Sequence, residues 1–171
     1  FKIVNDVTDN QIIFHKEHYV VISKEKQNFS SISQLANKKI GVITSDEKMI
    51  ANYLNTVKDI KLTAYETQTT LFEALAKAEE IEIAIVPLEE SLSSILTSNY
   101  YIDYHISDLE KYFVFEAAKD DIFSSIITKY FASWSEENLK STIDENELTT
   151  FVDALSISDK DMEELERILV T

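Results

Sequence analysis

The sequence has no cysteine and only one glycine, one proline and one arginine. Without cysteine there is no disulfide, no thiol catalysis and no thiolate metal site, and the lack suits reducing and oxidising compartments alike. A lone glycine, Gly41, excludes the glycine-rich loops that cradle nucleotide phosphates, since those need several positions of close backbone approach. Cationic side chains are also scarce: 16 Lys and Arg stand against 31 Asp and Glu, a formal net charge of −15. Such a surface repels nucleic-acid phosphates and anionic lipid headgroups, so no nucleic acid is expected as a partner. No uninterrupted apolar run approaches the roughly 20 residues of a membrane-spanning helix. The chain opens at Phe1 with neither an initiator Met nor a basic or apolar leader, and reads as an excised or processed segment whose targeting sequence lies upstream.

Apolar residues, by contrast, are ample. They make up 44% of the chain and aromatics 11%, too much for disorder and enough to bury the core of one ordinary domain or one lobe of a larger one. Acidic residues crowd the end: 11 of them lie in 135–171 against three basic residues. Apolar residues still punctuate that tail at helical spacing, so the acids read as solvated helix faces.

With so few turn residues, periodicity carries the assignment. YVVIS (19–23) is a strand, and SSISQL (30–35) opens a short helix, with Ser31 and Gln34 at capping-box spacing. From residue 39 a regular alternation follows: KIGVIT, IKLTAY and IEIAIV as strands, each followed by a helix, DEKMIANYLNTV, TTLFEALAKAEE and EESLSSIL. Strand–helix alternation of this length predicts a largely parallel sheet with helices on both faces. YYIDYHIS (100–107) and KYFVFEAA (111–118) are expected as two further strands joined by a turn at Asp108, which makes the sheet mixed. Residues 120–134 place Ile122, Phe123, Ile126, Ile127, Tyr130, Phe131 and Trp134 at helical spacing and predict a core helix. Three shorter helices are expected at 136–144, 146–155 and 159–169.

Candidate chemistry is sparse. His15 and His18 are three apart on a strand, which points their rings to opposite faces and argues for a surface pair over a metal site. His105 sits in a strand with no nucleophile motif nearby, so no enzyme and no cofactor are expected. The remaining candidates are the strand-to-helix junctions, because open α/β sheets bind ligands beyond the carboxyl ends of their parallel strands. Three junctions qualify: Thr44, Ser45, Asp46 and Glu47; then Glu66, Thr67, Gln68, Thr69 and Thr70; then Pro87, Leu88, Glu89 and Glu90. Taken singly, each reads as ordinary helix capping.

Their order raises them. HYVVISKEKQNFSSISQLANKKIGVITSD (18–46), EALAKAEEIEIAIVPLEESLSSIL (73–96) and YHISDLEKYFVFEAAKDDIFSSIITKYFASW (104–134) together resemble the second lobe of the family 3 bacterial extracellular solute-binding proteins, the type 2 periplasmic-binding-protein fold. The resemblance covers about residues 10–134. It implies two lobes closing on a small polar solute, the first supplying an arginine for the ligand carboxylate. That lobe is missing here or reduced to the residues before Tyr19, and Arg167 matches no ligand position. Where the family has a Gly-Thr-Thr type turn after the first strand, this chain has Ser45, Asp46 and Glu47, whose carboxylates oppose a ligand anion at those amides. The family's acid for the ligand ammonium aligns with Pro87, with Glu89 two residues on as a substitute.

The sequence therefore predicts an α/β domain, three layers α/β/α around a mixed, mostly parallel sheet, ending in an acidic helical tail. Its parts are a crossover or first-lobe remnant at 1–18, a solute-binding-like lobe at 19–118, and a core helix with tail at 119–171. The expected function is extracytoplasmic binding of an amino-acid-like or cationic solute through Thr44, Ser45, Asp46, Glu47, Thr67, Gln68, Pro87 and Glu89. The alternative is a ligand-free sensory or protein-interaction domain of a membrane-bound signalling protein. Expected partners are a small polar solute and a first lobe, permease or signalling domain, at an extracellular or cell-surface location.

Overall fold

Side chains alternate along the apolar runs, and the two sets of apolar positions so produced need cover on both faces of a sheet. The computed structural model describes residues 2–4, 7–8 and 11–116, and within 122–130 Ile122, Ser125, Ile126, Lys129 and Tyr130. Strands β1 (Lys2–Val4), β2 (Gln11–Ser23), β3 (Lys39–Ile43), β4 (Lys61–Tyr65), β5 (Ile83–Pro87) and β6 (Tyr101–Glu116) form one sheet in the order β1-β6-β2-β5-β3-β4. Helices α1 (Glu47–Tyr53), α2 (Gln68–Lys77) and α3 (Leu88–Thr97) follow β3, β4 and β5.

Three layers result. Tyr19, Val21, Ile40, Val42, Ile83 and Ile85 meet Ile50 and Leu54 on the α1 face. Their sequence neighbours Val20, Ile22, Ala84 and Val86 meet Leu71 and Leu75 of α2 and Ile95 of α3 on the other. Burying each such Val, Leu or Ile side chain is worth about 1.5–3 kcal/mol, which makes the central strands β2, β3 and β5 the stable heart of the domain.

The βα units are parallel as expected, with β3 flanked by β4 and β5. The balance of the sheet differs, however. β2 pairs antiparallel with β5 and β6, and β1 with β6, so three of the five pairings are antiparallel and the sheet is mixed without being mostly parallel. The cause is β2, which inserts between β5 and β6 and runs eight residues further upstream than YVVIS alone indicates. It crosses residues 18 and 19 without a break.

The turn expected at Asp108 does not form. β6 is one strand of 16 residues because β2 is long enough to pair along nearly all of it. The register slips between His18 and Tyr19, opposite Glu110 and Ile106, so Ser107, Asp108 and Leu109 are absorbed as an irregularity. Leu109 turns into the core, and the Tyr53 hydroxyl donates to Asp108 Oδ1 at 2.6 Å. The SSISQL segment is a single 3-10 turn, Ile32–Leu35, and Gln34 Oε1 accepts the amides of Ser30 and Ser31 at 2.6 and 3.2 Å.

Of the helix expected at 120–134, the described positions 122, 125, 126, 129 and 130 are helical. Ile122, Ile126 and Tyr130, four residues apart on one face, are 78%, 57% and 55% exposed, so that face is not core as its apolarity predicts. Phe123, Ile127, Phe131, Trp134 and the three tail helices lie outside the described residues.

Gly41 explains itself by space. A Cβ there would stand 2.5 Å from the Cδ1 atoms of Leu71 and Ile81, which press on the middle of β3. Gly41→Ala is expected to cost about 1–3 kcal/mol in urea unfolding, because the two side chains must leave their rotamers or α2 must lift. No change in the unfolding midpoint would show that they yield freely.

Turns are made without glycine. Asn28, Asn37, Asp59 and Asn99 take left-handed backbone with φ of 54 to 64°, the residue types whose short side chains tolerate it best. Ala78 does the same at φ 54° as the C-cap of α2, where its Cβ is strained. Ala78→Gly should raise stability by roughly 0.5–1 kcal/mol, read in the same unfolding experiment.

Candidate functional site

Because β3, β4 and β5 are parallel, their carboxyl ends deliver the starts of α1, α2 and α3 to one edge of the sheet. A cleft of about 450 Å³ opens there, and Ser45 and Asp46, Gln68, and Pro87 and Glu90 line it, one group from each junction. Lys111, from β6, lines it as well.

The predicted residues divide. Ser45, Asp46, Gln68 and Pro87 come together on the cleft. Thr44 does not line it; its hydroxyl donates to the Tyr65 carbonyl at 3.0 Å and ties β3 to β4. Glu47 is exposed in the first turn of α1. Thr67 caps α2, its hydroxyl accepting from the Thr70 amide at 3.2 Å. Glu89 turns to His15, with Oε2 2.7 Å from Nε2. His18 and His105 are exposed.

Glu17, Tyr19, Glu90, Ser91 and Lys111 complete the site, and only Glu90 stood among the sequence candidates. Glu17 and Lys111 are cross-strand partners in the β2–β6 ladder. Had β2 been taken back to residue 11, the alternation from Tyr19 would have shown Glu17 facing inward. Lys111 carries no such signal; only pairing with Glu17 reveals it.

A charged network joins these groups. Lys111 Nζ lies 3.1 Å from Glu90 Oε2 and 3.7 Å from Asp46 Oδ2. Glu17 Oε1 accepts the Glu90 amide at 2.6 Å, and Asp46 Oδ1 accepts the Ser45 hydroxyl at 2.9 Å. Gln68 Nε2 donates to Ser91 Oγ at 2.7 Å, bracing α2 against α3. Glu17, Asp46 and Lys111 are 1%, 2% and 8% exposed, so these charges act through poorly screened surroundings. Among the described residues, Glu17 Oε2 has no hydrogen-bond partner, and the Tyr19 hydroxyl is directed at the Asp46 carboxylate.

Burial pushes the Glu17 carboxyl above the usual carboxylate range; the Glu90 amide opposes this, while the Glu90 and Glu89 charges add to it. Burial, with the Asp46 carboxylate next in weight, raises the Tyr19 hydroxyl. The hydrogen bond to Glu89 raises His15, partly offset by burial. Both Glu17 and His15 therefore bind protons more tightly folded than unfolded. Stability is expected to fall as pH rises, first through the raised Glu17 value above 4.5, then through the raised His15 value above 6.5. His15→Gln should flatten the upper part of that slope in urea unfolding between pH 6 and 8.5. An unchanged slope would mean that the His15–Glu89 pair does not carry it.

The arrangement suits binding. Asp46 occupies the mouth of α1, a helix of seven residues, and meets an incoming anion with a buried carboxylate. Three carboxylates around one lysine leave the cleft negative.

No protein-family model and no curated protein sequence matches the chain. Solved structures do match in fold. The second substrate-binding domain of a putative amino acid ABC transporter from Streptococcus pneumoniae aligns over 85% of this chain and 68% of its own, at 15% identity and a TM-score of 0.56. An amino acid ABC transporter substrate-binding protein from Streptococcus pneumoniae, bound to L-arginine, aligns over 85% and 60%, at 15% identity and 0.57. The Bordetella pertussis BvgS periplasmic VFT2 domain aligns over 78% and 58%, at 12% identity and 0.57. At these identities the likeness is one of fold. The chain has the α/β fold of a solute-binding-domain lobe, as its sequence pieces imply, and spans 58 to 68% of the length of these structures.

Proposed function

We propose that this chain is the cleft-bearing lobe of an extracytoplasmic solute-binding domain and that it selects a small cationic or amine-bearing solute over a carboxylate. The observation that carries this reading is the lining of the cleft by Asp46 and Glu90, with the buried Glu17 bonded to the Glu90 amide and Lys111 the one cation paired with these acids among the described residues. A ligand carboxylate would be repelled by the excess acid, whereas an ammonium or guanidinium gains charge-assisted hydrogen bonds. The substrate-binding protein bound to L-arginine shares the fold, which is consistent with a cationic solute. A first lobe would close over the cleft, and a permease or signalling domain would read the closure. Lys111, Asp46 and Glu90 are paired with one another on the cleft, an arrangement that supports binding without turnover.

The test is isothermal titration calorimetry on the full-length protein with arginine, lysine, putrescine, glutamate and neutral amino acids. Saturable heat is expected for cations and none for glutamate. Tighter binding of glutamate than of arginine, or silence across the panel, would sink the reading.

A second reading is a ligand-free sensory or protein-interaction domain of a membrane-bound signalling protein. Lys111 favours it, since its ammonium already pairs with Asp46 and Glu90 without a ligand. A full-length gene with transmembrane helices and an intracellular signalling domain would support it; a lipoprotein signal would support a transporter subunit.

A further inference from the structure

Lys111 stands in a position that ordinary surface lysines do not. Its side chain is 10% exposed, and its ammonium is held by Glu90 and Asp46 at the carboxyl edge of the parallel strands. Together with Ser45 and Asp46 it lines not only the 450 Å³ cleft but also a second cavity of about 290 Å³ reaching Ile3 and Val4 of β1. Ser45, Asp46 and Lys111 are thus common to the linings of two neighbouring cavities.

More than a cluster of acids surrounds it. Glu17, opposite Lys111 in the ladder and 1% exposed, has a carboxylate oxygen that lacks a hydrogen-bond partner among the described residues. The fully buried Tyr19 hydroxyl is directed at the Asp46 carboxylate beside it. Buried polar atoms left unpaired are costly, and they mark a place built for more donors and acceptors than the chain itself supplies.

We propose that the Lys111 ammonium is a tethered occupant of the position where a solute's primary ammonium is held, so that a solute enters by displacing Lys111 from Asp46 and Glu90. The inference rests on the cation-selecting reading of the cleft and adds its regulation. A tethered ammonium competes at high effective concentration, so simple monoamines are excluded. Only a solute that contributes further contacts, with Gln68, Glu17 or a closing lobe, wins the position. Lys111 is therefore a specificity-determining residue.

The test is chemical complementation. Beyond Cα, the lysine side chain is n-butylammonium, and Lys111→Ala, which keeps Cβ, vacates the charge and all but one carbon of that ion's shape. With n-butylammonium chloride as probe, the thermal midpoint of K111A should rise saturably, while wild type stays level. Tetramethylammonium chloride at equal ionic strength should move neither, because it has no N–H to give Glu90 and Asp46. Binding of n-butylammonium to K111A should be at least about 10-fold tighter than to wild type. Equal shifts in both proteins, equal effects of the two salts, or no saturable rise in K111A would overturn the proposal. If K111A does not fold, D46N/K111A, which removes one carboxylate with the cation, is titrated in its place and must show the same saturable rise.

The two readings fail separately. A wild type that binds arginine with an affinity unchanged in K111A sinks the tethered occupant and keeps the cation-selecting cleft. A wild type that binds no cation, beside a K111A that takes n-butylammonium, sinks the cation-selecting reading and entry by displacement, and keeps only Lys111 as the occupant of an ammonium position.

Discussion

Lys111→Met is expected to destabilise the domain by about 3 kcal/mol, the scale of breaking a buried ion pair by removing one partner. Methionine keeps an unbranched stem of similar reach, so the loss reports charge rather than packing. Glu90 has a side chain that is 41% exposed and can turn to solvent. Asp46 and Glu17 cannot, being 2% and 1% exposed, and their carboxylates are left uncompensated at neutral pH. Two further results follow from that cause. Glu17→Gln in the K111M background should recover part of the loss, whereas in wild type it leaves the lysine with one acid fewer. The deficit of K111M should also shrink as pH falls towards 5, because the Glu17 carboxyl, raised by burial above 4.5, then takes up a proton and sheds its charge. Urea unfolding of the single and double variants at pH 5 and 7.5 measures all three. A K111M as stable as wild type at pH 7.5 would mean that the acids are already solvated or neutral.

Asp103→Ala is expected to cost about 1–3 kcal/mol, from the loss of an acceptor shared by two backbone amides and a hydroxyl. Asp103 sits on β6, 7% exposed, and holds the segment that leaves β2. Its Oδ1 accepts the Gln27 amide at 2.6 Å and the Asn28 amide at 3.3 Å, and its Oδ2 accepts the Ser23 hydroxyl. The three donors span the exit from the strand, and Asn28 holds left-handed backbone at φ 54°. Removing the carboxylate therefore loosens the loop and takes the acceptor from two backbone amides, while the Ser23 hydroxyl keeps the Glu25 carbonyl at 2.7 Å. Hydrogen exchange should show the Gln27 and Asn28 amides losing protection while β3 and β5 keep theirs. Asp103→Asn, which retains one acceptor oxygen, should lose less than Asp103→Ala. Equal loss in both would shift the role from hydrogen bonding to charge.

The parts of this fold that were legible from the chain are those in which local pattern and tertiary demand agree. IAIV is apolar at every position because β5 is covered on both faces, and TTLFEALAK shows a helical stripe because one side of α2 meets the sheet. The turns were harder. Where glycine usually marks a left-handed residue, this chain uses Asn28, Asn37, Asp59, Ala78 and Asn99, and asparagine signals a turn less sharply. The break expected at Asp108 failed for a different reason. Three residues that look like a turn are carried as an irregularity inside one strand, because pairing with β2 continues on both sides of them. At the cleft, the junction residues Ser45, Asp46, Gln68 and Pro87 were readable from the strand–helix rhythm. Lys111 was not, since nothing in KYFVFE distinguishes it from a solvated lysine.

The chain by itself determined the βα rhythm, the two-sided core and the acidic character of the junctions, for these depend on residue type and on spacing within about a dozen residues. Only the tertiary structure decided that β2 lies between β5 and β6, that Glu17 thereby faces Lys111 across a ladder of residues 94 apart, and that this lysine meets Asp46 and Glu90 from the other junctions. Strand order and register over such separations are set by the summed burial of whole faces, a quantity that no local stretch of sequence carries.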